Sequence, residues 1–357
     1  MTSSPTAAPT AEELPEPLGP ADSTGILTQL RGSSAFWIGV VVIALILVFG
    51  LITPNNAYIK PSNLFNIGLN ASQIMLIAVG MTFLIGAGHL DLSVGYNLIL
   101  ASVLGAKVMV AVAGSTDQVA AGQYPNLIPA IVAGAVVTIL AGALAGLLNG
   151  LLVTRLRLNS FIVTLATSGI LYGAALILTS AANVPFVPDE IQTWFGSNRL
   201  SGQVPLPLLV TLVVCGVMWL VMRTTRFGMR TLALGSSKES AIRAGIDVDR
   251  HTVRLFVLQG LLVGIAAVID LARNAGTNVV GHQSDNLQAI SAVVLGGTSL
   301  FGGIASIGGT LLGSLVPVMM ANGLVILNVQ PFYQLVVVGI ILIIAVYLDQ
   351  RRRSRMS

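Results

Sequence analysis

Apolar runs long enough to cross a bilayer recur along this chain, and they constrain its fold more than any other feature. A membrane-spanning helix needs about 20 mostly apolar residues. Segments of that kind stand at 36–53, 65–86, 92–113, 128–153, 160–181, 206–222, 252–272, 287–300, 305–327 and 332–348. The eighth is short and runs into the stretch "GGTSLFGG". Charged residues are 9% of the composition and mean hydropathy is +0.87. A soluble domain carries about a quarter charged residues. The reading is an all-α polytopic membrane protein with about ten transmembrane helices.

The placement of charge orients it. Cytoplasmic loops carry an excess of Lys and Arg. With the N-terminus inside and ten crossings, Arg31, Arg155, Arg157, Arg223, Arg226, Arg230, Lys238, Arg243, Arg250, Arg254, Arg351, Arg352, Arg353 and Arg355 fall on the cytoplasmic side. Only Lys60, Arg199 and Arg273 fall outside, and Lys107 lies within a span. Both termini are therefore expected in the cytoplasm. Residues 1–30, with five prolines and four acids, have the composition of a disordered tail, and 351–357 form a basic C-terminus. The sixth and seventh spans are separated by a charged cytoplasmic loop, 223–251. Ten spans make two sets of five, and an odd number makes the second half inverted relative to the first, a recurring transporter plan.

Polar side chains inside the spans are uncharged for the most part. Asn70, Gln73, Asn97 and Gln259 are candidates to line a wet path for a polar, uncharged solute; interhelical hydrogen bonding is the alternative for each. Asp270, near the external end of the seventh span, has Arg273 within reach at i,i+3. Mid-span acids of an ion relay are missing from this reading. In "GAGHLDLSVG" (86–95), Asp91 or Ser93 either caps the third span or stands at a gate; Gly296 and Gly297 fit a break between short half-helices. The lone Cys215 permits neither a disulfide nor a cysteine-based metal site. No phosphate-binding loop exists, because Lys60, Lys107 and Lys238 are followed by Pro61, Val108 and Glu239 rather than Ser or Thr. No nucleophile–base pair of an intramembrane enzyme is readable either.

The charged loop has helix punctuation. "GSSKESAIRAGIDVDR" offers Ser236 or Ser237 as an N-cap, Glu239 in the first turn and Gly245 as a stop. A short helix held between two spans can pass a push to both.

Five blocks carry a resemblance: "GAGHLDLSVG" (86–95), "NGLLVTRLRLNSFIVTLAT" (149–167), "ALGSSKESAIRAGIDVDR" (233–250), "AISAVVLGGTSLFGGIASIGGTLLG" (289–313) and "NGLVILNVQPFYQLVVVGIILIIAVYLD" (322–349). In this order they resemble the permease subunits of bacterial ABC importers for ribose-, xylose- and galactose-type monosaccharides, which are distantly similar to branched-chain amino acid permeases. The chain departs from that pattern with Ser237 where Asn is common, Ile304 where Arg is frequent, and His89-Leu90 where Gly-Ile is frequent.

The resemblance implies a multi-pass protein of the bacterial inner membrane that is not itself an enzyme. It implies a second permease copy or paralogue, cytoplasmic ATPase subunits that use ATP and Mg, and an extracytoplasmic solute-binding protein, with lipid around the spans and no nucleic acid. This chain would bind no cofactor or metal. The family's ATPase-coupling loop pattern matches Gly235, Glu239, Ala241, Gly245 and Ile246, and Ser237 is a coupling position in the same loop. A self-contained secondary transporter or channel for a small polar solute is the alternative; uptake driven by an ion gradient alone would distinguish it.

Overall fold

The computed structural model describes residues 34–200 and 204–330, with scattered positions between 332 and 347. The tail 1–30, the basic C-terminus and much of the tenth apolar segment lie outside the described residues. The regular secondary structure of the described part is helical, apart from a two-residue antiparallel pairing of Arg199–Leu200 with Val204–Pro205.

The helices are α1 (Ser34–Ile52), α2 (Pro61–Gly86), α3 (Val94–Ala113), a short α4 (Thr116–Ala120), α5 (Leu127–Arg155), α6 (Ser160–Thr179) and α7 (Leu206–Thr224). They are followed by α8 (Arg226–Ser236), α9 (Lys238–Arg243), α10 (Val248–Asn274), α11 (Asp285–Leu295) and α12 (Ile307–Ile326). Seven of these, α2, α3, α5, α6, α7, α10 and α12, are long and apolar enough to cross a membrane. The eighth apolar segment is not a full spanning helix. α11 has 11 residues, about 16 Å at 1.5 Å per residue, roughly half of a bilayer's hydrocarbon core.

α2 is the central element. Pro61 starts it, where a missing N–H costs nothing, and every side chain from Ala71 to Gly86 is buried. It packs against α10, α12, α7 and α11. The tightest crossing joins α5 to α10. A Cβ on Gly142 would lie 2.5 Å from the Gly260 carbonyl oxygen, and one on Gly264 would lie 2.7 Å from the Ile139 Cα. Small residues on both helices let their backbones meet, which replaces the hydrophobic drive that lipid does not provide. By contrast, α1, α5, α6 and α7 keep large apolar side chains exposed, among them Leu51, Ile128, Ile177 and Val213, as expected of a lipid-facing or partner-facing surface.

Two irregular segments interrupt the bundle at its centre. One, 87–93, follows α2; the other, 275–284, follows α10. Each touches the helix that follows the other. Asn286 Nδ2, at the start of α11, donates to the Leu92 carbonyl at 3.3 Å. A Cβ on Gly95, at the start of α3, would strike the His282 carbonyl. Hydroxyls at the start of α6 satisfy the first segment's backbone: Leu90 N–H donates to Ser160 Oγ at 3.2 Å and Leu92 N–H to Thr164 Oγ1 at 3.0 Å. Irregular backbone at this depth persists only where protein groups satisfy it.

Candidate functional site

A cavity of about 550 Å³ opens beside the Pro61 end of α2. Its wall comes from five elements: Asn66, Asn70 and Gln73 of α2, Asp270, Arg273 and Asn274 of α10, Asn278 and His282 of the 275–284 segment, Asp285 and Gln288 of α11, and Asn322 of α12. Few apolar side chains join them, in contrast to an ordinary ligand pocket.

Buried charge gathers at its inner end. His282 Nδ1 is 2.9 Å from Asp285 Oδ2, and His282 Nε2 is 3.2 Å from Asp270 Oδ2. A carboxylate oxygen within ion-pair distance of each ring nitrogen favours the imidazolium form. Gln73 Nε2 also lies 3.0 Å from Nδ1 and donates to Asp285 Oδ2 at 3.1 Å. Nearer the mouth, Arg273 Nη1 donates to Asn70 Oδ1 at 2.6 Å, and the Asn63 and Asn322 amides bond reciprocally at 2.8 and 3.0 Å. The two carboxylates, the imidazolium and the guanidinium balance in formal charge.

Of the residues expected to line a path, Asn70 and Gln73 are in this wall and Asn97 and Gln259 are not. Asn97 Nδ2 donates to the Gly142 carbonyl at 3.2 Å, tying α3 to α5, and Gln259 Nε2 donates to the Ile77 carbonyl at 3.3 Å, tying α10 to α2. Asp270 pairs with His282, not with Arg273 at i,i+3. His282 and Asp285 carried no signal in the sequence, because 273–286 is polar and read as a loop outside the membrane region.

Asp91 and Ser93 lie in the first irregular segment. Ser93 takes the N-cap position of α3 without a capping bond from its own side chain. Instead Asp91 Oδ1 accepts from the Ser93 backbone at 2.8 Å and the Ser93 hydroxyl at 2.6 Å, and Asn149 Nδ2 donates to Ser93 Oγ at 2.8 Å. Gly296 ends α11 against α12, where a Cβ would lie 2.5 Å from the Thr310 nitrogen, and Gly297 turns the chain at φ 86°.

At the Gly86 end, a second cavity of about 680 Å³ is lined by Gly88, His89, Arg157, Gly235, Ser237, Lys238, Glu239, Asp249 and Thr252, among others. α9 borders it. Ser237 Oγ accepts from the Ser240 backbone at 3.2 Å and Glu239 sits in the first turn. Gly245 at φ 77° closes the helix, with Ile246 N–H on the Ala241 carbonyl and Gly245 N–H on the Ile242 carbonyl, a Schellman stop. Ala241 is buried, whereas Lys238, Glu239, Ile242 and Arg243 are exposed.

Comparison with known proteins follows this geometry. Residues 63–346 match the sequence profile of the family described as branched-chain amino acid transport system / permease component. The chain is 36% identical over 331 residues to the ribose import permease protein of Bacillus subtilis (strain 168), covering 92% of this chain and 95% of that one. It is 33% identical over 315 residues to the D-allose transport system permease protein of Escherichia coli (strain K12), covering 88% and 90%. It is 35% identical over 338 residues to the L-arabinose ABC transporter permease protein of Azospirillum brasilense, covering 95% and 93%. No solved structure matches it. A multi-pass helical body and a profile match over most of its length place this chain in the branched-chain amino acid transport system permease family.

Proposed function

We propose that this chain is the membrane permease subunit of an ATP-binding cassette importer for a monosaccharide or a similar small polyhydroxylated solute. The observation that carries the reading is its near-full-length identity to permeases named for ribose, allose and arabinose. The geometry supports the sugar side of the family over the amino acid side. The wall of the 550 Å³ cavity is amide-rich, which suits a polar, uncharged solute.

In this reading the Gly86 end faces the cytoplasm and the Pro61 end faces out, as the Lys and Arg distribution requires. Segment 275–284 with α11 makes the eighth crossing, and 87–93 with α3 is its inverted counterpart. Ten crossings in two inverted halves follow, with both termini inside. α9 with Ser237 and Gly245 is the contact for a separate ATPase, and an extracytoplasmic binding protein delivers solute to the outer cavity. A second permease copy or paralogue covers part of the exposed apolar surface.

The test is uptake into proteoliposomes containing this chain, its ATPase and its binding protein. Labelled D-ribose, D-allose, L-arabinose and L-leucine are supplied with and without ATP. ATP-dependent uptake of a sugar and not of leucine is expected. Uptake by the chain alone on an ion gradient would favour a secondary transporter and overturn the proposal.

A further inference from the structure

Asp285 is 5% exposed, and its Oδ2 is occupied by Gln73 and His282. Its Oδ1 has no protein partner among the described residues, and the side chain is part of the cavity wall. An ionised carboxylate only accepts hydrogen bonds, and this oxygen is open to the cavity. What meets it must be a donor. A cation would disturb the balance among Asp270, Asp285, His282 and Arg273, since an uncompensated buried charge is strongly unfavourable. A neutral hydroxyl satisfies both demands. Arg273 supplies the opposite chemistry on the same wall, because its guanidinium carries five donors and Nη1 alone is taken, by Asn70.

We propose that Asp285 and Arg273, held in place by His282, Gln73 and Asn70, form a subsite for the hydroxyls of an uncharged sugar in transit. One hydroxyl donates to Asp285 Oδ1 while another accepts from Arg273. No Phe, Tyr or Trp lines the cavity among the described residues, so a sugar face lacks a broad ring to stack on and binds weakly, which suits a site that must release its solute. This subsite rests on the importer reading above.

Two variants test it. Asp285→Asn keeps the shape but replaces the carboxylate, leaving His282 with one counter-charge. Ala321→Trp fills the cavity from α12 without touching the ionic cluster, and decides the matter if Asp285→Asn fails to insert. In the complete importer, each variant is expected to cut D-ribose, D-allose or L-arabinose uptake at least tenfold, whichever sugar the unaltered protein carries. Saturation-transfer NMR on the purified chain in nanodiscs should show contact with that sugar, lost in both variants. Unchanged uptake in both variants, with a sugar carried by the unaltered importer, overturns the subsite and leaves the importer reading intact. If the unaltered importer carries none of the three sugars, the importer reading falls and the subsite falls with it.

Discussion

The backbone N–H of Gly303 donates to the carbonyl of Gly86 at 2.9 Å, joining the turn between α11 and α12 to the last residue of α2. Gly235, near the end of α8, fills the angle between them. A Cβ there would strike the Gly86 oxygen and lie 2.5 Å from the Gly303 nitrogen. Gly302 and Gly303 both hold positive φ, 84° and 80°, which glycine adopts without a Cβ penalty. Three backbones thus meet three residues before α9. In the proposed reading, a push on α9 would reach α2 and the α11–α12 turn through this junction without a flexible side chain in between.

Gly235→Ala is therefore expected to force these backbones apart, and overpacking of this kind costs about 1–3 kcal/mol. ATP-driven uptake should fall at least tenfold. Gly216→Ala is the control, since a Cβ at that position meets nothing within 4 Å. Equal uptake by the two variants would show that the junction tolerates displacement.

α9 is a helix of six residues and depends on its ends. Ser237→Ala removes the acceptor for the Ser240 N–H, typically about 1 kcal/mol of capping. Gly245→Ala places a Cβ at φ 77°, where the left-handed conformation costs about 1–2 kcal/mol. Neither position carries charge, so insertion should be unaffected. Each variant is expected to recover less ATPase on co-purification, and the double variant least. Full recovery with the double variant would remove α9 from the contact.

These end signals were legible in the sequence because capping is local: Ser237, Glu239 and Gly245 lie within nine positions of one another. The long spans were legible for the same reason, from apolar length alone. The His282 cluster was not. It joins Gln73 to a residue 209 positions away, and it needs a polar segment to fold back into the bundle, which hydropathy reads as a loop outside. Asn97 and Gln259 mark a second limit. Composition placed them in spans, but whether an amide faces a cavity or a neighbouring helix depends on helix rotation, which packing sets.

Asn70 and Gln259 should part company when each is replaced by leucine. Asn70 is on the cavity wall and holds Arg273 through Oδ1 at 2.6 Å. Asn70→Leu frees the guanidinium at the mouth and adds an apolar surface there, so the solute concentration for half-maximal uptake should rise several-fold. Gln259 is fully buried between α10 and α2. Its Nε2 reaches the Ile77 carbonyl, while its Oε1 is pressed against Gly80 and has no hydrogen-bond partner. Gln259→Leu loses one bond but also removes an unmet acceptor, two effects of similar size and opposite sign, about 1 kcal/mol each. Half-maximal concentration should stay unchanged, with a melting temperature within a few degrees of the unaltered protein. A several-fold rise for Gln259→Leu with none for Asn70→Leu would place the solute route along α10 at Gln259 and away from the outer cavity.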